Sequence, residues 1–188
     1  NDPEILAERT MYGDKHPEVL QRNLKGQVFQ QFDSAGVVTT WQVDFKGNPL
    51  QTSRQLTRDY RQQVDWSVVA MLTEADPAAL ANAAAPLLES QRYEVVSSVD
   101  ALNRPLTVTT PDGSEARPTY NEANLLETMT VRLRGAVDST TFVANIDYNE
   151  KGQRTRITYG NGVTTTYTYD PDTFRLTHLY TRRGSTFT

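Results

Sequence analysis

Cysteine is absent from the 188 residues. That excludes a disulfide framework, a thiol nucleophile and a thiolate metal site, and it leaves the compartment open. Histidine occurs twice, as His16 and His178, which is too few for a histidine metal cluster or a conventional triad. Each stands alone in sequence, and a histidine site needs oriented partner groups. Apolar runs are short, and none approaches the roughly 20 residues of a membrane-spanning helix. Positive charge is also scarce. Lys plus Arg is 19 against 23 Asp plus Glu, a formal net charge of −4, whereas nucleic-acid binding needs clustered Lys and Arg. The opening Asn1-Asp2-Pro3 has neither Met nor a signal-peptide pattern, a start expected of a piece of a longer polypeptide. No flexible Gly/Ser linker marks a boundary, so 1–188 is expected to be a single segment.

What is present is unevenly spread. Of 25 Thr, 19 lie beyond Asn103, and Thr suits a pleated, half-solvated surface. Of 15 Ala, 7 fall between Ala75 and Ala85. Asp76-Pro77 is a good helix start, with a capping acceptor followed by a residue that fits the first turn. Ala78 to Ala85 propagates it, and Pro86 should kink or restart it. The chain therefore reads as all-β and antiparallel, with one α-helical insertion around 62–90. The preceding stretch, Gln62 to Leu72, is ambiguous. Val64, Val68 and Leu72 make a helical stripe, but Val64-Asp65-Trp66-Ser67-Val68 also reads as a strand.

The most informative feature is a recurring unit: Asp or Asn, two residues of any kind, then Gly or Asn. It occurs at Asn23–Gly26, Asp33–Gly36, Asp44–Gly47, Asp100–Asn103, Asn121–Asn124 and Asn149–Gly152. Tyr169-Asp170-Pro171-Asp172-Thr173-Phe174 is a looser copy. Phe32, Val43, Val99, Tyr120 and Tyr148 precede five of the strict copies; Asn23 follows Arg22. An Asx side chain bonds the backbone two residues on and starts a turn. The Gly or Asn tolerates the left-handed conformation that closes the turn. The aromatic or β-branched residue ends the incoming strand. Each unit is expected to be a strand–turn–strand module. Spacings of 11, 21 and 21 residues, from Asp33 to Asp44, Asp100 to Asn121 and Asn149 to Asp170, suggest multiples of one short repeat. Tyr159-Gly160-Asn161-Gly162-Val163 and Thr110-Pro111-Asp112-Gly113-Ser114 add two hairpin turns.

The segments Asp147-Tyr148-Asn149-Glu150-Lys151-Gly152-Gln153-Arg154 and Tyr167-Thr168-Tyr169-Asp170 resemble the YD (RHS) repeat. So do Val99-Asp100-Ala101-Leu102-Asn103-Arg104-Pro105 and Arg117-Pro118-Thr119-Tyr120-Asn121-Glu122-Ala123-Asn124. Leu24-Lys25-Gly26-Gln27 through Asp44-Phe45-Lys46-Gly47-Asn48-Pro49-Leu50 resembles the RHS region of toxin-complex B components. The whole is similar to the RHS shell region of toxin-complex B and C components. That resemblance implies a repeat sheet that spirals into a hollow shell, secreted or extracellular, enclosing a toxin domain. The implied partners are the remaining repeats of the parent chain or a partner shell chain, the enclosed toxin cargo and a pore-forming component. Nucleic acid and a membrane span are not expected.

The family's autoproteolytic segment is of the Asp-Pro-x-Gly type. Asp76-Pro77-Ala78-Ala79 and Asp170-Pro171-Asp172-Thr173 both lack the Gly, so no catalytic residue is carried over and no enzyme activity, metal or cofactor is expected. Asp33, Asp44, Asp100 and Asp170 could be read as the paired acids of a glycosidase or as calcium ligands. Turn formation accounts for all four at once, and no stretch has the dense Asp/Asn/Gly spacing of a calcium loop. Tyr120, Tyr148, Tyr159, Tyr167 and Tyr169 could stack on sugars in a carbohydrate- or cell-surface-binding module; sheet packing is the default for such residues. Trp41 and Trp66 are expected to pack in the core or between strands. The expected site is thus structural: Asp33, Gly36, Asp44, Gly47, Asp100, Asn103, Asn121, Asn124, Asn149, Gly152, Tyr169 and Asp170.

Overall fold

A computed structural model describes residues 4–184. The Asn1-Asp2-Pro3 start and the last four residues, to Thr188, lie outside the described residues. The chain divides into two compact units, one ending at Asn103 and one beginning at Arg104.

In unit 1, short β-branched and aromatic runs make five strands: β1 (Arg9–Tyr12), β2 (Val28–Asp33), β3 (Gly36–Val43), β4 (Pro49–Leu56) and β5 (Tyr93–Val99). They pair antiparallel in chain order. The register shifts between Met11–Gln30 and Tyr12–Val28, which leaves Phe29 without a ladder partner on β1. Such a bulge re-aims side chains. It explains how Phe29 and Phe32, three apart on one strand, are both buried.

The connection from β4 to β5 holds the helical insertion. Asp76 caps α1 (Pro77–Ala84) by accepting from the Ala79 N–H at 2.9 Å, and Pro77 occupies the first turn. Pro86 lies in a single 3-10 turn, Ala85–Leu87, that closes the helix. The ambiguous stretch before it is neither the long helix nor the strand. It is one 3-10 turn, Trp66–Val69, and it buries Trp66 and Val69 rather than Val68, which is 52% exposed. A stripe at Val64, Val68 and Leu72 assumed an unbroken helix.

This insertion gives unit 1 its core. Trp66, Val69, Leu80, Ala84 and Leu88 pack on Met11, Phe32 and Val37 of the strands. Trp66 meets Phe32 edge-on at 5.1 Å between centroids. Its indole N–H donates to the Asp33 carbonyl at 3.0 Å. Arg9 donates to the carbonyls of Val69 and Leu72, and Trp66 N–H donates to Leu6 O at 2.9 Å. The insertion is therefore held by Arg9 of β1 and by Leu6 before it, as well as through its own core contacts. Close approach also fixes one glycine. A Cβ on Gly36 would lie 2.0 Å from the Gln55 carbonyl of β4.

Unit 2 continues with β6 (Pro105–Thr109), β7 (Glu115–Tyr120), β8 (Leu126–Arg132), β9 (Thr140–Tyr148), β10 (Arg154–Tyr159), β11 (Val163–Tyr169) and β12 (Leu176–Arg183). These strands are also antiparallel in chain order. Period-two patterning sorts their faces. Ile157 pairs with Ile146 and with Thr165, and all three are buried. The next row, Arg156 between Asp147 and Thr166, is polar. Unit 2 has no α-helix among its described residues, and Phe142, Leu176, Leu179 and Tyr180 stay exposed. The expectation of an all-β, antiparallel fold with one short α-helix holds for the chain.

Trp66→Ala should remove about 3–5 kcal/mol of stability by leaving a cavity and an unpaired carbonyl. Chemical denaturation followed by circular dichroism reads this as a lower midpoint.

Candidate functional site

An antiparallel succession of strands puts every second connection at the same end of the sheet. In unit 1 the connection before β2, the Asp44 turn and the Asp100 turn share one end. In unit 2 the Asn121, Asn149 and Asp170 turns do so. Apart from the Asp33 copy, the recurring sequence unit thus falls at one end of the strands in each unit.

The geometry of these turns is nearly constant. The Asx oxygen accepts two backbone N–H groups, two and four residues on. Asp44 accepts from Lys46 and Asn48, both at 2.8 Å. Asn121 accepts from Ala123 and Leu125, both at 3.0 Å. Asn149 accepts from Lys151 and Gln153, again at 3.0 Å. Asp100 accepts from Leu102 at 2.8 Å. The Asx N–H meanwhile donates to the carbonyl four residues on, at 2.9 Å in the turns at 44, 121 and 149. The fourth residue is left-handed: φ is 87° at Gly47, 63° at Asn103, 64° at Asn124 and 74° at Gly152. One side-chain oxygen therefore satisfies donors that a tight turn would otherwise leave bare. Asp170 serves a turn one residue longer. It accepts from Asp172 and Thr173, and its N–H reaches Arg175 O at 2.9 Å. Phe174 then takes the left-handed position, with φ of 59°.

The tyrosine before each Asx in unit 2 binds the preceding turn. Tyr120 Oη donates to Pro105 O at 3.0 Å, Tyr148 Oη to Leu126 O at 2.6 Å and Tyr169 Oη to Arg154 O at 2.9 Å. Each accepting carbonyl lies five residues after the Asx of the previous turn at that end. This offset is the structural content of the aromatic–Asx pair. It needs the fold to be seen, because donor and acceptor are 15, 22 and 15 residues apart.

Two copies differ from the expected strand–turn–strand module. Asn23 lies in the turn-rich connection between β1 and β2, not between two strands, and its side chain donates to Val43 O at 3.1 Å. Asp33 lies at the opposite end, in a two-residue hairpin where it pairs with Gly36. Its carboxylate still accepts from Ala35 N–H at 2.8 Å, but it is also gripped by both Arg54 nitrogens at 2.6 and 2.7 Å. The spacing of 11 between Asp33 and Asp44 is therefore one strand, end to end. The 21-residue spacing is the true repeat of two strands and two turns, and it also separates Asn23 from Asp44. The opposite end varies freely. In unit 1 it holds the Asp33 hairpin and the long insertion; in unit 2 the corresponding connections are the Thr110–Ser114 turn, the loop after β8 and the Asn161 turn.

Electrostatics follow from these bonds. The Asn48 amide, with the backbone N–H groups of Asn48 and Lys46, holds the Asp44 carboxyl below its usual range. Arg54 does the same for Asp33, and the Thr173 N–H and hydroxyl for Asp170. Asp112, bound by the Thr110 hydroxyl and by Ser114, falls to about 2. All four are shifted away from a raised general acid, their oxygens held by turn donors or, for Asp33, chiefly by Arg54. Among the described residues no group of three or more His, Asp or Glu is placed to hold a metal ion. His16 is buried against Phe29, with centroids 4.7 Å apart, and its Nδ1 accepts from Glu18 N–H at 3.1 Å. Burial lowers its pKa. His178 lies exposed on β12.

No family model matches the sequence. Toxin subunit YenC2 of Yersinia entomophaga is 30% identical over 178 residues, covering 95% of this chain and 18% of the relative. The chain is homologous to toxin-complex subunits. Toxin subunit YenC1 of the same organism is 26% identical over 183 residues, 96% of this chain and 17% of that protein. Among solved structures, the TcdB2-TccC3-Cdc42 crystal structure superposes with a TM-score of 0.82 at 27% identity, over 97% of this chain and 8% of that one. The Photorhabdus luminescens Tc holotoxin pore carrying the TccC3-D651A mutation gives 0.81 at 28% identity, over 97% and 8%. The chain thus spans less than a fifth of the length of the toxin subunits it matches.

Tyr148→Phe should cost about 1 kcal/mol through loss of one hydrogen bond, read as a lower denaturation midpoint. Tyr167→Phe, whose hydroxyl makes no such clamp, should leave the midpoint within about 0.5 kcal/mol. Asp44→Asn keeps the turn acceptor, as Asn121 and Asn149 do, but removes the titration. A lowered native pKa gives stability that is present above the ordinary carboxylate pKa of about 4 and is lost as pH falls below it. Thermal unfolding between pH 5 and 2 should therefore fall less steeply for Asp44→Asn than for the wild type.

Proposed function

We propose that this chain is a non-catalytic structural segment of a shell that encloses a toxin domain and helps deliver it from outside the target cell through a pore-forming partner. Its nearest partners in this reading are the other repeats of the parent polypeptide or a partner shell chain. The observation that carries the reading is the dedicated end of the sheet. The Asx turns there satisfy their own donors, and the residues that close them reach the next turn, as Asn48 reaches Asn103 and Gln153 reaches Phe174. The homology to toxin-complex subunits along 95% of the chain supports it. So does the match to TcdB2-TccC3 along 97%.

The other reading is a carbohydrate- or cell-surface-binding module built on the tyrosines. The hydroxyls of Tyr120, Tyr148 and Tyr169 are spent on backbone carbonyls, and Arg104 lies over the Tyr120 ring at 4.5 Å. That use of the tyrosines favours the structural role.

Electron microscopy of the full-length parent protein tests the proposal. A closed particle with density inside is the expected result. A solid or extended particle would overturn it and would make a glycan array the next experiment.

A further inference from the structure

At the regular end of the strands, the residue after each left-handed position reaches the left-handed residue of the following turn. In unit 1, Gln27 follows Gly26 and lies over Gly47: a Cβ there would sit 3.3 Å from Gln27 Nε2. Asn48 follows Gly47 and donates from Nδ2 to Asn103 Oδ1 at 3.0 Å. In unit 2, Arg104 follows Asn103 and donates from Nη1 to Asn124 Oδ1 at 2.8 Å. Leu125 follows Asn124, and its Cδ1 lies 3.6 Å from where a Gly152 Cβ would be. Gln153 follows Gly152 and donates from Nε2 to Phe174 O at 2.8 Å. The direction never reverses. The chemistry of each pair is matched: a donor faces an oxygen, or a side chain covers a bare glycine.

Arg175 is the next residue in this series. It follows left-handed Phe174, and its carbonyl closes the Asp170 turn. It is exposed, and β12 pairs with β11 alone among the described residues. We infer that the residue after the left-handed position sets register between successive repeats, and that Arg175 is the docking side chain for the next one. Its guanidinium donates to a carbonyl oxygen of the left-handed residue in the turn of a further hairpin. That hairpin belongs to the same polypeptide and pairs along β12. Continuity with the contacts at Arg104 and Gln153 supports this occupant, and the charge-assisted geometry matches that of Arg104 on Asn124. The inference rests on the shell reading only in requiring that another hairpin follows.

The test is a high-resolution structure of the full-length parent together with hydrogen exchange. The guanidinium should lie within about 3.5 Å of that oxygen. Arg175→Ala should speed amide exchange in the following turn about tenfold while leaving the Asn149 turn unchanged. Arg182→Ala, near the far end of β12, should leave both unchanged. An Arg175 that faces solvent or another element, or exchange that does not respond to Arg175→Ala, overturns the inference. A solid particle that keeps the Arg175 contact would remove the shell and leave this register rule standing. A hollow particle without the contact would do the reverse.

Discussion

One oxygen per turn bears on everything else in the architecture. An Asp or Asn side chain that accepts the second and fourth backbone N–H groups after it makes a five-residue turn self-sufficient. Without that oxygen, two donors at the strand end would need water or a neighbour. With it, the closing residue is free to point its side chain elsewhere, and in this chain it points at the next turn. Asp44, Asn121 and Asn149 show the arrangement in full. Because Asp and Asn serve equally, charge is not what the turn requires. The lone pair is.

The two ends of the strands have divided their labour. The Asx end is nearly invariant in geometry, since each turn there must meet its neighbours. The opposite end carries no such demand, so in unit 1 it accepts a two-residue hairpin after β2 and a long insertion after β4, and in unit 2 an extended loop after β8. The insertion repays its length by burying Trp66, Leu80 and Leu88 on the unit 1 strands. The tyrosines complete the regular end in unit 2, where Tyr120, Tyr148 and Tyr169 stand in place of the valines at 43 and 99. Their hydroxyls reach back to the previous turn while the closing residues reach forward. Successive hairpins are thereby tied in both directions.

Much of this was legible in the amino-acid order. Asx and Gly or Asn at a fixed offset, after a strand former, located the turns. Asp76-Pro77 before an alanine run located α1. What stayed hidden is what depends on distance in space. Asp33 carries the same local pattern as Asp44, yet it lies at the other end of its strand, and only strand count distinguishes them. Asn23 has the pattern without an incoming strand. The Tyr148–Leu126 clamp and the Asn48–Asn103 bond join residues whose spacing varies with the loops between them. Trp66 was expected in the core and lies there, but Val69 was obscured by reading 3.6-residue periodicity into a stretch that is a single 3-10 turn. The bulge at Phe29, beside which two phenylalanines three apart are both buried, leaves no mark in sequence.

The claim at the centre of this account is that the Asx turns, not the strands alone, hold the repeats in place. Native-state hydrogen exchange of the parent protein, resolved to single amides, tests it most directly. The N–H groups of Asn48, Leu125 and Gln153, each bonded to an Asx oxygen, should be protected to nearly the level of the flanking strands. Amides of the loop after β8, at the opposite end, should exchange far faster. Rapid exchange at Asn48, Leu125 and Gln153, with the strands still protected, would contradict the account and reduce the turns to passive connections.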